Sequence, residues 1–268
     1  MAEAKTAIVT GASSGIGRET AISLARRGYS VVLAARREQR LVEVADACRE
    51  AGGEGIPIAT DVAADGQVRE LVDESLRRMG RVDVMVNNAG VGAYGAVHQT
   101  DESTMRRIFE VNCFAVWQGC KAIVPVMIEQ GSGHVFNVSS IIGRRGTPMH
   151  GAYCAAKAAV VGLTESMRVE LMDHNVRVTA VLPGLTRTEF FDHSGGGSRQ
   201  RSSFVKLRTM MSPHEVAERI VSTVGRAVPE LRFTVGGRLL AILAPLSPRL
   251  ADRMMKIYHD DLRKGESS

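Results

Sequence analysis

Short apolar runs alternate with longer stretches of helical periodicity along most of this chain. The runs at 6–10, 29–35, 56–60, 82–86, 134–138, 176–181 and 232–235 have the length and β-branched content of buried strands. Between them, helices are predicted at about 16–27, 38–51, 68–79, 102–130, 153–174 and 212–226. In the second of these, Leu41, Val44, Ala45 and Cys48 repeat at helical spacing. Gly28 and the Gly52-Gly53 pair close the first two helices, and Asn112 or Pro125 is expected to break the long one. Ser212, Pro213 and Glu215 form a helix-start signature: N-cap, first turn and capping-box acid.

Strand–helix alternation implies βαβ units, right-handed crossovers and a parallel sheet covered on both faces. The expected architecture is α/β: one Rossmann-like doubly wound domain over residues 1–237, with about seven parallel strands. Residues 238–268 are expected to form a C-terminal helical extension, packed on that domain or on a partner. The stretch 186–211 breaks the rhythm. It holds Gly195, Gly196 and Gly197, then Arg199, Arg201, Lys206 and Arg208, and reads as a substrate lid.

Composition narrows the class. The chain has 268 residues, 44% hydrophobic and 24% charged, with a net charge of +5, which is ordinary for a globular protein. Acids such as Glu38, Glu43, Asp46 and Glu50 interleave with the basic residues, as on solvated helix faces, so nucleic acid is not an expected partner. Cys48, Cys113, Cys120 and Cys154 form no CxxC pair and read as reduced packing residues. The histidines show no metal-ligand spacing, and no metal is expected. The first strand begins by Thr6, and no run of about eighteen apolar residues stands out, so a cytoplasmic setting without membrane spans is expected.

Tyr153 and Lys157 carry the candidate chemistry. Four residues apart on a helix, they share one face. An ammonium beside a phenol favours the phenolate and should pull its pKa down from about 10, giving a group that trades protons with a carbonyl or alcohol. Alone, the pair reads equally well as surface neighbours. Ahead of it, Thr10 to Gly17 (TGASSGIG) joins the first strand to the first helix. Gly11, Gly15 and Gly17 permit close backbone approach, and Ser13, Ser14 and Ile16 lead into a helix N-terminus suited to a pyrophosphate. The second strand ends in Ala35, Arg36 and Arg37, where a carboxylate would bind the ribose of NAD. Guanidinium suits a 2′-phosphate, so NADP(H) is expected over NAD(H).

Taken in order, these motifs resemble the short-chain dehydrogenase/reductase family in its single-domain form, over about residues 5–237. The resemblance rests on 10–17, Asp61-Val62, Asn87-Asn88-Ala89-Gly90, Asn112, Ser139-Ser140, Tyr153 with Lys157, and Pro183-Gly184 with Thr186 and Thr188. It implies that Asp61 and Val62 hold the adenine and that Asn88, Ala89 and Gly90 line the ribose. Ser140, thirteen before Tyr153, would orient the substrate oxygen. Tyr153 would be the acid or base, Lys157 would tune it and hold the nicotinamide ribose, and Asn112 would anchor a water. Pro183, Gly184, Thr186 and Thr188 would cradle the carboxamide and pyrophosphate.

The implied activity is hydride transfer between NADP(H) and a small-molecule carbonyl or secondary alcohol. A 3-oxoacyl-thioester reductase is the alternative within that class, and a nucleotide-binding sensor or scaffold without turnover is the alternative outside it. Val91, Tyr94, Ile141, Ile142 and Met149 suggest an apolar substrate. A homo-oligomer, dimer or tetramer, is expected. The apolar tail from Leu239 to Leu246, followed by a helix-like Leu250, Met254, Ile257/Tyr258 stripe, is expected to pack on the body or a partner subunit, or to make a peripheral membrane contact.

Overall fold

The computed structural model describes residues 5–191, 210–234, 244 and 246–266. Its centre is one sheet of seven parallel strands: β1 (Thr6–Thr10), β2 (Ser30–Ala35), β3 (Glu54–Ala59), β4 (Val84–Asn87), β5 (Gly133–Val138), β6 (Val176–Leu182) and β7 (Glu230–Arg232). Their spatial order is β3-β2-β1-β4-β5-β6-β7. The chain winds outward from β1 in one direction and from β4 in the other, so β1 and β4 flank the switch point of a doubly wound sheet.

Strand alternation builds a core on each face. Ala7 and Val9 of β1 point to one side, with Val31, Leu33, Val84, Val86 and Phe136. They pack on α1 (Gly15–Ala25), α2 (Glu38–Glu50) and α7 (Pro213–Thr223) through Leu24, Leu41 and Ile220. Ile8 points to the other side with Val32, Met85 and Val135. There they meet α3 (Gln67–Met79), α5 (Ala115–Glu129) and α6 (Gly151–Glu170) through Leu71, Ile123 and Val160. Both faces of these strands are covered, hence their nearly continuous apolar sequences.

Local predictions meet the structure unevenly. The capping box of α7 forms as expected, with Ser212 and Glu215 bonding reciprocally. β7 starts at Glu230, two residues before the expected 232. Leu231 and Phe233 alternate onto one core, and alternation sets the phase but not the first residue. α6 stops at Glu170, and a separate 3₁₀ turn covers Met172–His174. The long helix does break near Asn112. α4 (Glu102–Phe109) passes through a π turn, Glu110–Phe114, into α5, which then carries Pro125 without interruption. This stretch, Glu102–Glu129, is long and apolar enough to cross a membrane by length and composition, contrary to the expectation that no segment is. Over half of its apolar window is buried, as in a core helix. Beyond β7, α8 (Pro248–Glu266) completes the described chain.

Candidate active site

The candidate residues come from the C-terminal ends of the strands. At the end of β1, Gly11 adopts φ +66°, a conformation natural to glycine, and a Cβ there would stand 2.9 Å from Ala89 Cα. A Cβ on Gly17 would meet Gly11 O at 2.3 Å. The turn is therefore packed against β4 to a density that only hydrogen permits. Asn88 locks it there: its Nδ2 donates to Thr10 O (2.9 Å), and Thr10 Oγ1 accepts from Asn88 N (2.9 Å) and Ala89 N (3.1 Å). Ser14 is the N-cap of α1, yet its side chain makes no cap hydrogen bond. The first-turn N–H groups are thus left to an outside acceptor, which is the chemistry a pyrophosphate needs.

Arg37 lies across this turn. Its Nη2 and Nε donate to Ser13 Oγ at 3.1 and 3.4 Å, and its Nη1 pairs with Glu189 at 2.9 Å. Arg36 beside it is exposed. Thr188 covers the turn from the β6 side, so close that a Cβ on Gly15 would lie 2.9 Å from its Cγ2. A cleft of about 440 Å³ opens on the α1–α2 side, lined by Ser13, Ser14, Gly15, Arg18, Arg40 and Glu189. It belongs to the phosphate end of the site and includes neither Ser140 nor Tyr153. The cradle, the uncapped helix and the guanidinium fit a phosphorylated dinucleotide.

Asp61 closes an Asx turn by accepting from Ala63 N (3.1 Å), and Val62 is buried beside it. Asn112, fully buried in the π turn, reads the backbone of Val91. Its Nδ2 donates to Val91 O (2.9 Å) and Ile108 O (3.0 Å), while its Oδ1 accepts from Val91 N (3.2 Å). A Cβ on Gly90 would touch both Asn112 Oδ1 (2.8 Å) and Lys157 Nζ (3.7 Å), so these three residues adjoin. Lys157 is buried and donates to Val138 O at 2.8 Å.

The two serines separate cleanly. Ser139 is buried and spends its hydroxyl on Lys157 O (2.7 Å), tying the end of β5 to α6. Ser140 keeps only longer contacts, to Pro183 O (3.5 Å) and from Ile142 N (3.4 Å), and its hydroxyl lies close enough to Tyr153 to favour the phenolate. On the β6 side, Thr186 donates to Gly184 O (3.0 Å) and bridges to Met211, joining the two ends of the 186–211 segment. Residues 192–209 of the expected lid lie outside the described residues.

One electrostatic expectation is corrected. The Tyr153 phenol is pushed up, not down: burial disfavours the phenolate, Cys154 adds to this, and the nearby Ser140 hydroxyl only partly opposes it. Lys157 Nζ lies 5.6 Å from the tyrosine ring centroid, and its charge is spent on Val138 O. Burial lowers the lysine itself to about 8. Desolvation outweighs attraction between these neighbours.

The sequence pattern does not single out Phe190 or Glu189 as site residues, whereas Met149 is one of its candidate pocket residues. The Phe190 ring lies 5.3 Å from that of Tyr153. Met149 adopts φ +65°, rare for a side chain of this kind, and its carbonyl accepts from Gly95 N (2.8 Å). The irregular 186–211 composition was the only signal for Phe190 and Glu189.

The model of the short chain dehydrogenase family matches residues 5–196. An uncharacterized oxidoreductase of Bacillus subtilis (strain 168) is 34% identical over 258 residues, covering 94% of this chain and 72% of its own. A 3-oxoacyl-[acyl-carrier-protein] reductase of Thermotoga maritima is 32% identical over 220 residues, covering 82% of this chain and 89% of its own. Among solved structures, an alcohol dehydrogenase from the archaeon Thermococcus sibiricus, complexed with 5-hydroxy-NADP, superposes with a TM-score of 0.76 at 31% identity. That match covers 86% of this chain and 96% of the other.

Proposed function

The chain belongs to the short-chain dehydrogenase family of nicotinamide-dependent oxidoreductases, and from that premise we propose that it is NADP(H)-dependent, reducing an apolar carbonyl or oxidising the matching secondary alcohol. The observation that carries this reading is the convergence of Ser140 and Tyr153, close enough for the serine to act on the phenol, beside Lys157 and Asn112 at the ends of β4 and β5. When bound, the nicotinamide supplies or accepts the hydride. The Gly11–Gly17 turn and the α1 N-terminus hold the pyrophosphate, with Thr188 over it. Arg37, with Arg36, takes the 2′-phosphate. Asp61 and Val62 flank the adenine, and Asn88 to Gly90 line the ribose. Pro183, Gly184 and Thr186 fix the carboxamide.

Ser140 orients the substrate oxygen, and Tyr153 exchanges the proton with it. At neutral pH the raised phenol is protonated, the form required to protonate a carbonyl oxygen in reduction. Lys157, lowered to about 8, remains largely charged at pH 7 and holds the ribose hydroxyls next to the phenol. Apolar Val91, Ile141, Ile142 and Phe190 favour a substrate with a hydrocarbon body. We read the enzyme as one catalytic unit through β7, with α8 appended.

Tyr153→Phe tests the mechanism. Turnover of carbonyls with NADPH should fall by at least about a thousandfold, within the range of a lost proton donor. NADPH binding, followed by fluorescence titration, should change less than about threefold. Near-normal turnover by the variant would remove Tyr153 from the chemistry. NADPH binding without turnover on a broad carbonyl and alcohol panel would favour a sensor or scaffold.

A further inference from the structure

The last helix presents two different surfaces. Ala251 is buried, and Tyr258 is partly buried with its phenol pushed up by that burial and by Asp261 and Cys154 nearby. Arg145, which follows the Ser140 turn, pairs with Asp252. These contacts seat α8 beside the N-terminal end of α6, next to Tyr153. Leu250, Met254 and Ile257 recur at spacings of four and three residues, so they form one stripe of α8, and Leu246 lies just ahead of the helix, before the break at Ser247. All four are more than half exposed, Leu246 reaching 77%. A soluble surface rarely sustains such a row without a partner.

The charges beside the stripe indicate the partner. Arg249 and Arg253 are exposed along one edge of it, and neither has an ion-pair partner among the described residues. Three acids of the same helix lie elsewhere: Asp252 pairs with Arg145, Asp260 with Lys256 at 2.6 Å, and Asp261 lies near Tyr258. An apolar row edged by free guanidinium groups matches the boundary between anionic headgroups and acyl chains. A second copy of the chain is a poorer match. Four side chains make far less than the roughly 800 Å² per partner of a stable interface, and the free arginines would gain no counter-charge from the same stripe on another copy.

We propose that α8 docks the protein on anionic lipid surfaces, with Leu246, Leu250, Met254 and Ile257 entering the acyl boundary and Arg249 and Arg253 meeting the headgroups. Docking sets the N-terminal end of α6 near the bilayer, where an apolar carbonyl compound would partition. The inference stands on α8 alone and survives if the cofactor reading fails.

The test is flotation of the full chain with phosphatidylcholine vesicles, with and without phosphatidylglycerol to supply an anionic surface. The wild type should float with the anionic vesicles and be released by salt. Leu250→Gln/Ile257→Gln should weaken binding at least about tenfold, since each loses its buried hydrocarbon. Arg249→Gln/Arg253→Gln should bind both vesicle types alike, and weakly. Light scattering without lipid should give all three proteins the same mass and circular dichroism the same fold. Failure of the wild type to float, undiminished flotation of the Leu250/Ile257 variant, or a mass lowered by that variant would overturn the proposal, the last in favour of a self-interface.

Discussion

At the scale of residues, Arg37 is the most informative side chain outside the Ser140–Tyr153 pair. It carries the proposed 2′-phosphate contact, yet it is engaged by Glu189, from a segment 152 positions later in the chain. Both partners are nearly half exposed, so the ion pair is worth little to stability. Its consequence is for selectivity, because a 2′-phosphate must displace or share the guanidinium that Glu189 holds. Glu189→Gln should tighten NADPH binding roughly two- to fivefold, the range expected of an exposed charge pair, and leave NADH unchanged. Arg37→Ala is the companion measurement and should weaken NADPH alone. An equal change for both cofactors in the first variant would remove Glu189 from selectivity, and an equal change in the second would remove Arg37. Arg37 was legible in the sequence because β2 and the glycine turn announce where a ribose lies. Glu189 was not, since only the folded chain brings it there. The direction of the Tyr153 shift was illegible for a related reason: four-residue spacing reveals the lysine, but not the burial that outweighs it.

At the scale of elements, the π turn between α4 and α5 explains how one helix serves both core and site. Its apolar face packs under β4 and β5 through Val116, Ile123 and Met127. At Asn112 the ladder widens and the amide turns inward to Val91. π turns of this kind often mark functional positions. Asparagine suits the place because it offers donors and an acceptor at once, matching the carbonyl and N–H of a single residue. Asn112→Ala would leave both partly buried Val91 groups without this side-chain partner. It should cost about 1–3 kcal/mol in urea unfolding, from one to two polar groups that lose a partner. Asn112→Asp retains the acceptor and loses the donors, so it should recover only part of that loss. A cost under about 0.5 kcal/mol for the alanine variant would mean that Val91 is satisfied another way. The sequence signalled a break at Asn112, but periodicity does not distinguish a π turn from a kink, because both disturb the same hydrophobic stripe.

At the scale of the whole molecule, the sheet is knit outward from the β1–β4 switch point, and its β6–β7 side depends on one buried imidazole. His134, on β5, stacks on Phe136 with ring centroids 3.9 Å apart. Its Nδ1 accepts from Gly225 N (3.1 Å), so Nε2 carries the proton and donates to Thr179 Oγ1 (2.9 Å), which in turn donates to Val228 O (2.6 Å). One neutral ring thus joins β5 to β6 and to the turn leading into β7. Protonation would turn the Nδ1 acceptor into a donor facing a donor. Burial, with a smaller contribution from Arg177, lowers the imidazole to about 3 from an ordinary 6.5. Between those values the unfolded chain holds a proton that the folded one lacks, so stability falls as pH drops below about 6.5. From pH 6.5 to 4.5 the loss should approach about 2–3 kcal/mol, two pKa units at 1.36 kcal/mol each. His134→Gln keeps a donor and an acceptor without titrating. It should start less stable at pH 7 through imperfect packing and then lose that much less on acidification. Denaturant curves for the two proteins at pH 7.0, 5.5 and 4.5 give the comparison directly, and parallel losses would show that acid opens the sheet elsewhere.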